Sequence, residues 1–103
     1  MKGEATIIKP GGTREIVTLD KTVELEFLQK AVGGYIELVP HFTTYYSQRC
    51  VALCNEEGKL DGLPFNEPAT ALWAWAVGKP IIGDHLVGNI VILTGDDEFM
   101  ESL

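Results

Sequence analysis

A short, strongly apolar run near the C-terminus constrains the fold of this chain more than any other feature. The run "NIVIL", residues 89–93, lies between Gly88 and Gly95. It is too short for a typical helix and rich in β-branched residues, so it predicts a strand at about residues 87–94. Its apolar content predicts that this strand is central in a sheet.

The first half of the chain alternates strand-like and helical patterns. "EATIIKP" and "REIVTL" predict a hairpin through a Pro-Gly-Gly turn. Apolar residues at helical spacing predict a helix over about residues 23–32, with Thr22 as N-cap and Gly33 as the C-terminal stop. A strand at about residues 35–40 follows, and "CVALC" predicts the next.

The stretch "NEEGKLDGLPFNEPATALWAWAVG", residues 55–78, predicts a polar turn followed by a second helix. Phe65 is expected in the core, and Asn66 or Glu67 is expected to cap the helix. Helical spacing places Trp73 on the apolar face and Trp75 off it, exposed or at the edge of the core. "DDEFMESL" predicts one acidic C-terminal helical turn.

The length of 103 residues suits one domain, residues 1–103. The expected fold class is α+β: a mainly antiparallel sheet of about five strands, with two main helices packed against one face.

The charge distribution disfavours direct binding to nucleic acid. Fifteen Asp and Glu residues against eight Lys and Arg residues give a net charge of −7. Affinity for a phosphate backbone depends on Lys and Arg, which are few and scattered here. An acidic mimic of DNA has the appropriate sign of charge and stays a minor alternative.

No established catalytic or metal-binding motif occurs. His41 and His85 are the only histidines, and they form no recognised zinc pattern. Cys50 and Cys54 are expected on one strand face, too far apart to pair, as reduced structural thiols. We expect no catalytic residues, no metal and no cofactor, and a non-enzymatic role is favoured.

The segment "PHFTTYYSQR", residues 40–49, has the most ligand-like composition. Tyr45 and Tyr46 could stack on a flat ligand, and Arg49 could hold a phosphate or carboxylate. The structural alternative is that these aromatic residues cover the sheet or a subunit interface. The segment is either a loop or a hairpin.

Three further polar residues are candidate ligand-binding positions. The amides of Asn55 and Asn66 could bind either backbone or ligand. Asp84 precedes His85 in "GDH", where a turn is the structural alternative to a hydrogen-bonded pair of side chains.

Three ordered motifs, "LQKAVGGYIELVP", "NEEGKLDGLPFNEPATAL" and "GDHLVGNIVIL", resemble a family known as domain of unknown function 3846. The resemblance covers about residues 22–95 and implies an origin on bacteriophages and mobile elements with a compact α+β domain. It implies no reaction and no catalytic residue.

These observations favour a small phage-type binding protein that antagonises host defence, by sequestering a nucleotide-like ligand or by blocking a host protein. The alternatives are an acidic protein-interaction module or DNA mimic without a small ligand, and an enzyme acting on a nucleotide. A second copy of the chain, in a homo-oligomer, is among the candidate partners. No signal peptide or membrane-spanning run is found, so a cytoplasmic location is expected, which is that of the host cell if the protein is phage-encoded.

Overall fold

Seven strands and three helices make up the computed structural model, which describes residues 1–103. In chain order they are β1 (Gly3–Ile8), β2 (Arg14–Leu19), α1 (Leu25–Val32), β3 (Ile36–Leu38), β4 (Thr44–Tyr45), β5 (Gln48–Arg49), β6 (Val51–Asn55), α2 (Glu67–Val77), β7 (Ile90–Gly95) and α3 (Asp97–Glu101). None of the three helices combines the length and hydrophobicity that crossing a bilayer requires.

Five of the strands form one antiparallel sheet in the order β2-β1-β7-β6-β3. The apolar run predicted as the central strand is β7, which occupies the middle position and is fully buried over residues 90–93. The predicted α+β class, the five-stranded antiparallel sheet and the N-terminal hairpin are confirmed. Strands β4 and β5 form a separate two-stranded hairpin.

The two main helices lie on opposite faces of the sheet, which corrects the prediction that both pack on one face. Ile90 and Ile92 of β7 share a core with Ala69 and Trp73 of α2. The alternate residues of β7 share a second core with α1 and α3. Successive side chains of a strand point to opposite faces, so a strand without polar positions needs a helix on each side.

Helix α1 begins two residues later than predicted. Glu24 occupies the N-cap position and makes no side-chain capping bond. The predicted cap, Thr22, instead bonds to Ser102 near the C-terminus: its hydroxyl donates to the Ser102 carbonyl and accepts from the Ser102 hydroxyl. A tertiary contact has therefore replaced the local cap. The predicted C-terminal stop is confirmed, because Gly33 adopts a left-handed conformation.

The structure confirms most of what the sequence predicts for helix α2. The Asn66 side chain accepts a hydrogen bond from the backbone of Ala69, and so Asn66 is the N-cap. Trp73 is buried and its indole N–H donates to the carbonyl of Pro40, whereas Trp75 is 87% exposed. The expectation for Phe65 is wrong: its ring is largely exposed and packs edge-on against a histidine at the surface.

Both cysteines lie on the α2 side of the sheet, as their spacing predicts. Cys50 is fully buried and Cys54 is half-buried, and both thiols are free. Burial raises the pKa of each thiol to about 11. Both groups are therefore protonated and weakly reactive at neutral pH.

Candidate functional site

The segment between β3 and β6 is a tight hairpin whose two turn residues have a left-handed backbone. Tyr46 has φ of 49° and Ser47 has φ of 66°. Two consecutive positive φ values are typical of a type I′ turn, where Asn and Gly are the usual residues. A tyrosine there is strained by the contact between its Cβ and the backbone. The Tyr46 ring is 67% exposed at this turn.

Arg14, at the start of edge strand β2, holds both tyrosines of this hairpin. Its Nη1 donates to the hydroxyl of Tyr45 at 2.8 Å and to that of Tyr46 at 3.2 Å. The guanidinium carbon lies 5.8 Å from the centroid of the Tyr46 ring, and the two tyrosine rings meet edge-on at 4.7 Å. The hydrogen bond to Tyr46 raises the pKa of Arg14.

The hairpin and helix α2 enclose an open cleft of about 690 Å³, which we call the tyrosine–tryptophan cleft. Its lining comprises Arg14, Thr44, Tyr45, Tyr46, Ser47, Pro68, Ala71, Leu72, Trp75 and Ala76. Tyr46 is 67% exposed and Trp75 is 87% exposed. The cleft therefore offers two aromatic faces to solvent beside one guanidinium group.

The cation of the cleft differs from the one that the sequence singled out. Arg49 is exposed on β5 opposite Thr44, does not line the cleft, and makes no ion pair. Arg14 does line it, and its Nε and Nη2 groups have no hydrogen-bond partner in the structure. Arg14 and Tyr45 are 31 residues apart, so no local pattern connects them. Trp75 could be found from the sequence, because its position off the apolar face of α2 indicated a ring that is exposed or at the edge of the core.

Asn66, a candidate ligand-binding residue, uses both the oxygen and the nitrogen of its side-chain amide in hydrogen bonds within the protein. It is 0% exposed. Its Nδ2 donates to the carbonyl oxygens of Ile8 at 2.9 Å and Gly88 at 2.8 Å, and its Oδ1 accepts from Ala69 at 3.0 Å. These bonds connect β1, the turn before β7 and the start of α2. No donor or acceptor faces a surface, and the geometry assigns Asn66 a structural role.

Asn55 is also a structural connector. Its Nδ2 donates to the carbonyl of Val32 at 3.2 Å, and its Oδ1 accepts from the backbone of Glu57 at 2.8 Å. A Cβ on Gly34 would lie 2.9 Å from the Asn55 amide nitrogen. The amide thus joins the end of α1 to the turn after β6, and it needs a glycine beside it.

Asp84 and Asn55 line a second, smaller groove of about 160 Å³ beside β3. Asp84 forms an ion pair with Lys59 and also accepts from the backbone N–H of His85 at 2.7 Å. The bond from Lys59 holds the pKa of Asp84 below its usual range. Asp84 thus bonds to the backbone of His85, while the histidine ring packs against Phe65. The two side chains do not form a hydrogen-bonded pair, and their contact is a local backbone contact.

The six candidate residues thus separate into four places. Tyr45 and Tyr46 line the tyrosine–tryptophan cleft, Asn55 and Asp84 border the smaller groove, and Asn66 is buried. Arg49, the sixth, lies on the surface of β5. No group of three or more His, Cys, Asp or Glu side chains is arranged to hold a metal ion.

The fold and the cleft define a small α+β protein of one domain with an aromatic surface cleft. Within that class, the family described as "Domain of unknown function (DUF3846)" matches residues 1–103, and the chain belongs to this family. The match extends the resemblance seen in the three motifs to the whole chain. Comparisons with curated proteins and with solved structures give no match.

Proposed function

We propose that this protein is a non-enzymatic binding protein that holds a planar, anionic small molecule of the nucleotide type in the tyrosine–tryptophan cleft. One observation carries the proposal: Arg14, whose Nε and Nη2 are unpartnered, lines the same cleft as the exposed rings of Tyr46 and Trp75. Aromatic faces stack on flat rings, and a guanidinium fork fits phosphate or carboxylate oxygens.

The dimensions and charge of the cleft support this ligand class. A volume of about 690 Å³ lies within the range of small-molecule sites. The chain carries a net charge of −7, so an anion approaches against average repulsion and needs a local cation. Arg14 is the one charged residue in the cleft lining. We therefore infer a ligand with a single strongly anionic group next to a flat ring.

The lining favours holding a ligand over converting it. It contains no carboxylate, imidazole or thiol, and its polar side-chain groups besides Arg14 are hydroxyls and the indole N–H of Trp75. General acid–base catalysis depends on a group that titrates near the working pH, such as His or Glu. The motif resemblance to phage and mobile-element proteins extends the proposal: the bound molecule is a signal of host defence, which the protein sequesters in the host cytoplasm.

The test is calorimetric titration of purified protein with a panel of linear and cyclic mononucleotides and cyclic dinucleotides. Arg14→Ala removes the cation of the cleft, whereas Arg49→Ala removes the same charge from a neighbouring surface and is the matched control. A charged hydrogen bond is worth about 1.5–3 kcal/mol, so we expect Arg14→Ala to weaken binding roughly tenfold to a hundredfold.

Trp75→Ala should weaken binding of the same ligands through the loss of a stacking face, and ligand binding should quench the fluorescence of Trp75 in the wild type. Two results contradict the proposal: no member of the panel binds the wild type, or Arg14→Ala and Arg49→Ala have equal effects. Turnover of a bound nucleotide would favour the enzymatic alternative.

A further inference from the structure

The free edge of the five-stranded sheet at β3 presents unpaired backbone groups to solvent. Strand β3 pairs with β6 only, and no strand lies on its other side. The Glu56 amide donates to Tyr35, and the Val39 amide donates to Ala52. Antiparallel bonds alternate along a strand, so the N–H and C=O groups of Ile36 and Leu38 point away from β6.

Exposed apolar side chains flank the carboxylate of Glu37 at this edge. Tyr35 is 68% exposed and Leu38 is 59% exposed. Leu60, which lines the small groove beside the strand, is 88% exposed. Natural sheets commonly protect a free edge with short strands, charged side chains, a proline or a covering segment. The three-residue strand β3 carries one charge, that of Glu37, and neither lysine nor proline. An open edge flanked by apolar side chains is the geometry to which an extended peptide adds as a further strand.

The small groove beside β3 is acidic. Glu37, Glu56 and Asp84 line it together with Lys59 as the one cation. Asp84 is paired with Lys59, whereas Glu37 and Glu56 form no ion pair. Glu37 is opposite Cys54 and on the same side of the sheet as Val39, so its carboxylate faces this groove. An added strand would bring its side chain opposite Glu37 to the same place.

This charge pattern disfavours a second copy of the chain as the added strand. A two-fold antiparallel pairing through Ile36 and Leu38 would place Glu37 directly opposite Glu37 of the other copy. Side chains at such a position are about 4.5–5.5 Å apart, and like charges there are destabilising. Each copy also carries a net charge of −7. A basic residue at the opposing position would be attracted by Glu37 and by the unpaired Glu56.

We propose that the β3 edge binds an extended, basic segment of a partner protein, which adds to the sheet as a sixth strand and places an arginine or lysine opposite Glu37. This surface shares no lining residue with the tyrosine–tryptophan cleft. The proposal is independent of the small-molecule function.

The test is a titration of ¹⁵N-labelled full-length protein with two capped heptapeptides of alternating threonine and valine, one with a central arginine and one with a central glutamate. We expect the arginine peptide to shift the amide resonances of Ile36 and Leu38 and to bind at least about tenfold more tightly than the glutamate peptide. Glu37→Lys should reverse the preference between the two peptides.

A proline substitution at each free edge separates backbone pairing from general destabilisation. Leu38→Pro removes an outward N–H without touching the bonds to β6, and proline is tolerated at such positions. It should weaken arginine-peptide binding at least about fivefold, the effect of one lost hydrogen bond. Ile16→Pro is the matched control on β2: Lys9 bonds to Thr13, so in this register position 16 also points outward. It should leave binding unchanged.

Three results would overturn the proposal. In the first, millimolar arginine peptide shifts no amide of β3 in the wild type. In the second, the two peptides bind equally. In the third, Leu38→Pro retains a dispersed spectrum and binds as the wild type does. If Leu38→Pro is unfolded, Glu37→Lys decides, because its side chain is exposed and its substitution leaves the backbone intact.

Discussion

Replacing the buried Asn66 tests whether the amide side chain holds three parts of the fold together. Asn66→Ala removes two bonds to the carbonyls of Ile8 and Gly88 and one bond from the amide of Ala69. The side chain is fully buried, so water does not replace the lost partners without rearrangement. At roughly 1–1.5 kcal/mol for each bond, the free energy of unfolding should fall by about 3–5 kcal/mol.

The measurement is urea unfolding followed by circular dichroism, with Asn89→Ala as the matched control. Asn89 is half-buried and donates one bond, to the carbonyl of Ala31 at 3.1 Å, so its loss should be about 1 kcal/mol. Asn66→Asp should cost more than Asn66→Ala, because a carboxylate oxygen would then face two carbonyl oxygens. A loss below about 1 kcal/mol for Asn66→Ala would refute the structural role and return Asn66 to the ligand candidates.

Three further predictions concern the core and the termini of the strands. Trp73→Ala should lower the free energy of unfolding by ~3–5 kcal/mol, while Trp75→Ala should lower it by less than about 0.5 kcal/mol; equal losses in urea unfolding would contradict the observed burial. Gly3→Ala should lower the melting temperature, because its Cβ would lie 2.5 Å from the buried phenylalanine ring of α3, and Gly11→Ala, which meets nothing within 4 Å, should not. Burial raises the Cys50 pKa from 9.0 to about 11, so the unfolded chain loses its thiol proton first and stability should fall as the pH rises from about 9 to 11. Cys50→Ala should flatten that part of the stability curve, and an unchanged slope would contradict this cause.

Local patterns predicted the elements whose conformation depends on their own residues. Asn66 followed by Pro68 indicated the start of α2, and spacing along that helix separated Trp73 from Trp75 correctly. The run of β7 indicated a central strand because its residues 90–93 are all apolar, on both faces of the strand. In each case the relevant period, cap or apolar run lies within a single segment.

Contacts between distant segments could not be predicted in this way. Thr22 resembles a helix cap, but it contacts Ser102 at the other end of the chain. Phe65 is apolar and expected in the core, but it pairs with Val87 in an isolated bridge and its ring lies at the surface. Arg14 carries no local signal of a site, because its tyrosine partners lie on a hairpin formed much later in the chain.

The sequence by itself determined the α+β class, the central position of β7 and the phase of α2, because hydrophobic periodicity and capping act over a few neighbouring residues. Only the tertiary structure decided that α1 and α2 cover opposite faces, that Arg14 holds the hairpin tyrosines, and that Asn55 and Asn66 bond to distant backbone groups. These features depend on which side of the sheet each connection crosses. The connections cross so that both faces of β7 are buried at once. This requirement involves the whole chain, and it cannot be seen in any single segment.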